Sequence, residues 1–237
     1  MKLTLKELRL QLQYHKELNP KLWDDFVLKP EVRAKLLQFA EVWREFAKIP
    51  KEAVQEVVML GGNCNYNYTD LSDIDVHILV DKKKISSDPL LDDYLRAKKM
   101  LWTMSHNISI LGYGLEPYAQ DRSEEDFKEN QGVYSLTKNE WINKPEFIGD
   151  SMLKDPMLKK KVKFYMDMID EMIENHTDTE AFHNLKEKLR EMRGAAIKKG
   201  GEFSFENLVF KELRNHGYID KINEYTKSEQ DKELSLK

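Results

Sequence analysis

The chain has 237 residues, 41% of them hydrophobic and 34% charged, with a formal net charge of −4 at pH 7. This composition supports one large folded domain or two small ones and excludes a disordered chain. It also excludes a protein that gathers nucleic acid by bulk positive charge, so any such contact would need a local basic patch.

The single cysteine, Cys64, allows no internal disulfide and fits a reducing compartment. The opening "MKLTLKELRL" lacks the apolar run of a signal peptide, and no stretch approaches the ~20 apolar residues of a membrane span. The expectation is a soluble, cytoplasmic protein in which the sequons at Asn67 and Asn175 are accidental.

In chain order, Leu3, Leu5, Leu8, Leu12 and Tyr14 predict a first helix that stops near Asn19-Pro20. Pro30 suits the first position of a second helix. Val32, Leu36, Phe39, Ala40, Trp43 and Phe46 then follow helical spacing until Ile49-Pro50 ends it. "VQEVVML", residues 54–60, predicts a strand, and Gly61-Gly62 terminates it. Asn63 to Ser72 is a polar, aromatic loop. Residues 73–80 predict a second strand, with Ile74, Val76, Ile78 and Val80 on one face and Asp73, Asp75 and His77 on the other.

Asp88-Pro89 marks the start of a helix that runs to about His106. "NISILGYGLEPYAQD" predicts a strand pair or one bulged strand, in which Glu116, Tyr118 and Gln120 share a face. "GVYSL", residues 132–136, predicts a short strand. Three helices follow, over 155–175, 179–199 and 204–215. Thr177-x-x-Glu180 is read as a capping box for the second, and Gly200-Gly201 as its end. Residues 227–237 are polar and are expected to fray. The fold class is therefore α+β, a small mixed sheet with helices before and after it. The expected divisions are N-terminal helices over 1–50, a catalytic core over 51–150 and a helical C-terminal subdomain over 151–237.

The chemistry concentrates at Asp73 and Asp75. Acids at i and i+2 of a strand project from one face about 7 Å apart, within reach of one or two divalent cations. A third carboxylate on a neighbouring strand would complete the set. Glu116 is the best placed, because a strand–helix–strand connection returns its strand beside the first; Asp81 and Asp121 are weaker rivals. Mg²⁺ is commonly shared between carboxylates and substrate phosphates, and two ions can activate the attacking oxygen and stabilise the leaving one. Gly61 and Gly62 would let backbone amides approach a triphosphate.

"LGGNCNYNYTDLSDIDVHILV" resembles the signature of the polymerase-β-like nucleotidyltransferases. That signature is an apolar residue, Gly-Gly or Gly-Ser, a loop of about ten residues, then Asp-x-Asp in a strand. Gly61 and Gly62 match the phosphate-holding glycines, Asp73 and Asp75 the metal-binding pair, and Glu116 the third acid, which has no tight motif of its own. The resemblance covers residues 54–121. The loop, with "GVYSL" and "ENLVFKELRNHGYIDK", is also similar to uncharacterised nucleotidyltransferase-like proteins of bacteriophages, which would place the chain in a host cytoplasm. The resemblance implies Mg²⁺, or Mn²⁺, with a nucleoside triphosphate such as ATP as donor. It also implies an acceptor hydroxyl on a small molecule, a protein or an RNA end, and release of pyrophosphate.

Several residues keep two readings. Asn63 and Ser72 either bond phosphate or cap the strand. Tyr66, Tyr68 and Tyr134 either stack on a base or pack at the loop edge. His77 is a metal ligand or a polar neighbour. The lysines of 158–163, Lys198, Lys199, Lys211 and Arg214 are read as solvated faces, the methionines at 166, 168 and 172 as core, and Cys64 as no catalytic thiolate. Two other functions stay open: an inactive nucleotide-binding, regulatory or inhibitory protein on the same scaffold, and a metal-dependent phosphohydrolase using Asp73, Asp75 and His77.

Overall fold

The computed structural model describes residues 3–124, 127, 131–147 and 149–236. The chain divides into two units, one of residues 14–148 and one of residues 1–13 with 149–237. Residues 1–50, expected as a division of N-terminal helices, fall partly in each unit.

The first unit begins with a two-residue hairpin, β1 (Trp23–Asp24) and β2 (Val27–Leu28), then helix α1 (Pro30–Phe46). Val32, Leu36, Phe39, Ala40 and Trp43 form the buried stripe of α1. Strands β3 (Val54–Leu60) and β4 (Ile74–Val80) follow, then helix α2 (Leu91–Ser105). A hairpin of β5 (Ser109–Ile110) and β6 (Tyr113–Asp121) turns at Leu111 and Gly112, both at positive φ. Strands β7 (Val133–Ser135) and β8 (Glu140–Asn143) complete a sheet of order β5-β6-β4-β3-β7-β8. β4 pairs antiparallel with β3 and parallel with β6. The β4–α2–β6 crossover thus supplies the one parallel pair among the described strands, since parallel neighbours need such a crossover connection.

Alternation sets what each face does. Ile74, Val76, Ile78 and Val80 of β4, with Met59 and Ala119, pack on α1 and on Leu91, Leu95 and Trp102 of α2. Burying a side chain such as Leu36 or Ile78 completely stabilises the fold by ~1.5–3 kcal/mol. The other face carries a smaller apolar group, Val58, Leu79 and Val133 with Phe127 and Ile142, and the three acids.

The second unit is helical: α3 (Pro156–Glu174), α4 (Thr179–Gly200), α5 (Phe205–Asn215) and α6 (Tyr218–Leu234). Its core joins Val162, Met166, Ile169, Phe182, Leu189, Leu208 and Leu213 to Leu8. The first predicted helix is not formed; residues 8–15 carry no regular structure. Only Leu8 of its leucines is fully buried, and the backbone amides of Gln11 and Leu12 donate instead to the Glu212 carboxylate, at 2.9 and 2.7 Å. Asp178, not Thr177, caps α4, accepting from the Ala181 amide at 2.8 Å, while the Thr177 amide still closes the preceding turn on Met172. Residues 227–234, expected to fray, continue α6. Good helix formers and the Glu229–Lys232 pair support that end, and Ile219, Ile222 and Tyr225 anchor its start on the core.

Candidate active site

Three carboxylates meet on the acid-bearing face. Asp75 stands opposite Glu116 in the parallel β4–β6 register, and Asp73 precedes the same strand. One ligand oxygen from each of Asp73, Asp75 and Glu116 lies within 4.8 Å of the others, and all three residues are half-buried. At an effective dielectric of ~20, two unit charges ~5 Å apart raise the energy by about 3 kcal/mol, so the cluster needs cations. One comes from α2: Lys99 Nζ donates to Glu116 Oε2 at 3.0 Å. With side chains 30% and 41% exposed, that pair offsets no more than ~1 kcal/mol. An all-oxygen, half-exposed, converging donor set fits a hard divalent cation.

Gly61 makes room for this arrangement. Its φ of +86° ends β3, and a Cβ there would lie 2.0 Å from Asp75 Oδ2. A side chain at this position would therefore displace a cluster oxygen as well as strain the backbone. At Gly62 the added carbon would sit 3.2 Å from Ser72 Oγ, a tight approach between the two ends of the loop.

Buried asparagines hold the loop between glycines and acids. Asn63 Nδ2 donates to the Asp73 carbonyl at 2.8 Å and Asn63 Oδ1 accepts from Asn19 Nδ2 at 2.8 Å. Trp23 Nε1 donates to the Asn63 carbonyl. Asn65 Nδ2 donates to the Gly61 carbonyl and its Oδ1 accepts from the Gly132 amide. The His15 amide donates to the Tyr66 carbonyl, and the His15 ring stacks on Tyr68 at 3.9 Å. Ser72 Oγ accepts from the Thr69 amide at 2.9 Å. Asn63 and Ser72 thus both bond the protein's own backbone, Asn63 beside β4 and Ser72 within the loop. Tyr66, Tyr68 and Tyr134 are packed inside, at 8%, 8% and 2% exposure.

His77 shares the acid face one step further along β4. Its Nδ1 lies 2.9 Å from Gln120 Oε1, and its ring tilts against Tyr118. Burial pushes the imidazole pKa down, against the opposing Gln120 bond. The converging group contains Asp73, Asp75 and Glu116 without it. Asp81 and Asp121 lie at the far ends of their strands, where they cap the Lys83 and Ser123 amides. Cys64 is fully buried, and burial with the nearby Asp75 charge pushes its thiol well up, so it is no nucleophile at neutral pH. Lys161 and Lys211 pair with Glu206 and Glu202 of their own unit.

No protein-family model matches the chain, and no curated protein matches it. Among solved structures it is similar to the STING-associated CdnE c-di-GMP synthase from Capnocytophaga granulosa, with 15% identity over 85% of this chain and 81% of that chain and a TM-score of 0.22. A likeness of that degree decides neither fold nor function. No helix among the described residues is long and apolar enough to cross a membrane.

Asn19, Asn65, His15 and Lys99 were not legible as site residues. The alternating asparagines at 63, 65 and 67 were a signal, because short amides in a loop usually bond backbone. Lys99 carried a fainter one: it interrupts the inward stripe of α2 between Leu95 and Trp102.

Proposed function

We propose that this chain is a metal-dependent nucleotidyltransferase that moves a nucleoside monophosphate from a nucleoside triphosphate to an acceptor hydroxyl. One observation carries the reading: carboxylates from two adjacent parallel strands converge beside a glycine whose missing side chain makes room for one of them. In this reading Asp73, Asp75 and Glu116 hold the cations, with Mg²⁺ or Mn²⁺ the fitting ions. When bound, such ions neutralise phosphate charge and favour loss of the acceptor's proton. The Gly61-Gly62 turn receives the triphosphate, while Asn63 acts from within the core by fixing the loop to Asp73, and Ser72 by closing the loop on Thr69. Glu116 faces the acceptor and draws its proton away. The acceptor oxygen bonds to the α-phosphorus, the bond to the β-phosphate bridge breaks, and pyrophosphate leaves. The protein's own groups position the reactants and supply charge.

His77 disfavours the phosphohydrolase reading, since its ring is engaged by Gln120 and Tyr118. An inactive scaffold would have no use for three clustered acids. Thermal stability measured with ATP, GTP, CTP and UTP, each with Mg²⁺, on wild type and Asp73→Asn, tests the reading. A ligand well above its dissociation constant should stabilise the fold by ~2–4 kcal/mol. Stabilisation by one nucleotide, lost in the variant, supports the site and identifies the donor. No stabilisation by any of them favours the inactive scaffold.

A further inference from the structure

One edge of the sheet is guarded and the other is not. At one end of the strand order, β8 carries Glu140 and runs into Lys144-Pro145, and its Trp141 packs against Trp23 and Phe26. Charge, proline and covering side chains are common means of keeping an edge from pairing with another chain. β5, at the other end, carries neither charge nor proline. It lies within residues 100–115, the longest stretch of the chain without an acid or a base, although 34% of all residues are charged. Burial does not account for that stretch: Leu101, Met104, Ile108 and Leu111 are exposed, Met104 at 83%. Ile108 and Ile110 also line a cavity of about 260 Å³ with Phe39, Val42, Trp102 and Leu115. Lys35, the charged residue of that lining, is turned to Gln38 at 3.1 Å. The backbone of β5 is aimed outward at one residue. Ile110 pairs with Tyr113, and the Ile108 carbonyl accepts from the Leu115 amide, so the groups of these two residues face β6 and those of the exposed Ser109 face away.

We propose that β5 is a self-association edge, which pairs antiparallel with β5 of a second copy of this chain about a two-fold axis at Ser109. The charge pattern selects that occupant. A two-fold axis brings a surface against itself, so a charged edge would meet its like, and residues 100–115 hold no charge to repel their own counterpart. The backbone fixes the register. Only outward-facing residues can exchange bonds, so Ser109 pairs with Ser109 of the partner subunit, and Ile108 then stands opposite Ile110 of the partner subunit. That placement joins the apolar linings of the two cavities on the helix side of the sheet. The sheet continues through both copies, and their acid clusters lie together on its other side.

Sedimentation equilibrium of the full chain tests this and needs neither metal nor nucleotide. Wild type should show a monomer–dimer equilibrium. Ser109→Asp and Ser109→Lys each set like charges across the axis and should weaken dimerisation at least ~10-fold. An equimolar mixture of the two variants should restore it, because the axis then carries one charge of each sign. Damage to a merely structural edge would not be repaired by mixing. Circular dichroism confirms folding, and Ser109→Cys serves should either charged variant not fold. Hydrogen-bonded antiparallel partners stand ~5.5 Å apart, within reach of a disulfide, so mild oxidation should link two copies through residue 109 while the buried Cys64 stays reduced. A wild type that is monomeric at every concentration overturns the proposal. So does a dimer that neither charge disturbs, or a pair of charged variants that stay apart when mixed. None of these outcomes bears on the nucleotidyltransferase reading.

Discussion

One face of one sheet carries carboxylates at both ends and treats them in opposite ways. Glu56, near the start of β3, is 3% exposed and closed in by partners: Ser135 Oγ at 2.6 Å, Arg122 at 2.6 Å and Lys138 at 3.2 Å. Burial pushes its pKa up, but those three bonds outweigh it and hold the carboxyl below its ordinary value of 4.5. Four residues further along β3, ~13 Å away at strand rise, Leu60 pairs with Asp75 and the acids collect. There three carboxylates share one small volume and stay half-exposed. Glu56 shows how this scaffold accommodates an acid that only has to be stable. The other end brings its acids close together and leaves them half-exposed, an arrangement that fits a removable cation.

The comparison breaks first at the open end. Asp73→Asn or Asp75→Asn should lower Mg²⁺-dependent turnover by at least ~10³-fold, because a neutral amide cannot balance a divalent ion at the reacting phosphate. Removing one charge from a crowded set should leave the melting temperature without metal unchanged or higher. A variant that keeps full turnover ends the assignment of the site to these residues.

At the closed end the effect reverses. Glu56→Ala should destabilise the fold by about 3 kcal/mol and leave Mn²⁺ affinity alone, since it strips a buried network of its acceptor. The sign of the pH dependence follows from the lowered pKa. The contribution of Glu56 is present above the unfolded value near 4.5 and is lost as pH falls through the lower folded value. Denaturant melts of wild type and variant should therefore converge in strong acid. Parallel curves at all pH values would mean that the ion pairs contribute nothing.

Gly61→Ala sharpens the comparison from the side of the backbone. Positive φ alone costs a side chain of the order of 1 kcal/mol, and the new carbon would also meet Asp75 Oδ2 at 2.0 Å. A total loss of ~2 kcal/mol is expected, together with weaker Mn²⁺ binding, because relief of the clash must move Asp75. Lost stability with undisturbed metal affinity would separate the glycine from the acid cluster.

How much of this was legible in the sequence depends on the distance over which each feature is decided. β3 and β4 are decided locally, by period-two alternation between a helix end and a glycine pair, and their bounds come within a residue of those expected. The meeting of Asp75 with Glu116 needs only one crossover rule. The clamp on the loop was illegible because its partners lie far away: Asn19 is 44 residues from Asn63, and Asn65 is 67 from Gly132. Strands of two to four residues, such as β1, β2 and β8, are too short for any periodicity to accumulate. Lys99 was hidden for a different reason. On a helix full of charge, a lysine that faces inward reads like one that faces out until the neighbouring strand is in place.

The first predicted helix failed for the same reason as the loop clamp, and it yields the smallest effect. Leu5, Leu8 and Leu12 suggest a helical stripe, yet the amides of Gln11 and Leu12 are satisfied by Glu212, 201 and 200 residues away. Glu212 is fully buried, and burial raises its pKa despite the two amide bonds that oppose the rise. The folded state thus holds this proton more tightly than the unfolded chain does. The favourable linkage is therefore present at low pH and fades as pH rises from the ordinary 4.5 through the raised value. Glu212→Gln removes that dependence. The glutamine carbonyl can stand where Oε1 accepts from both amides, and losing a buried charge offsets the poorer partner left for the amide nitrogen. The net change at neutral pH should stay within ~1 kcal/mol, while the difference between wild-type and variant stability shifts in the variant's favour as pH rises through that window. A loss of several kcal/mol, as for Glu56→Ala, would mean that the charge itself holds residues 9–12. The closed acid of the sheet and the buried acid of the helices would then obey the same rule.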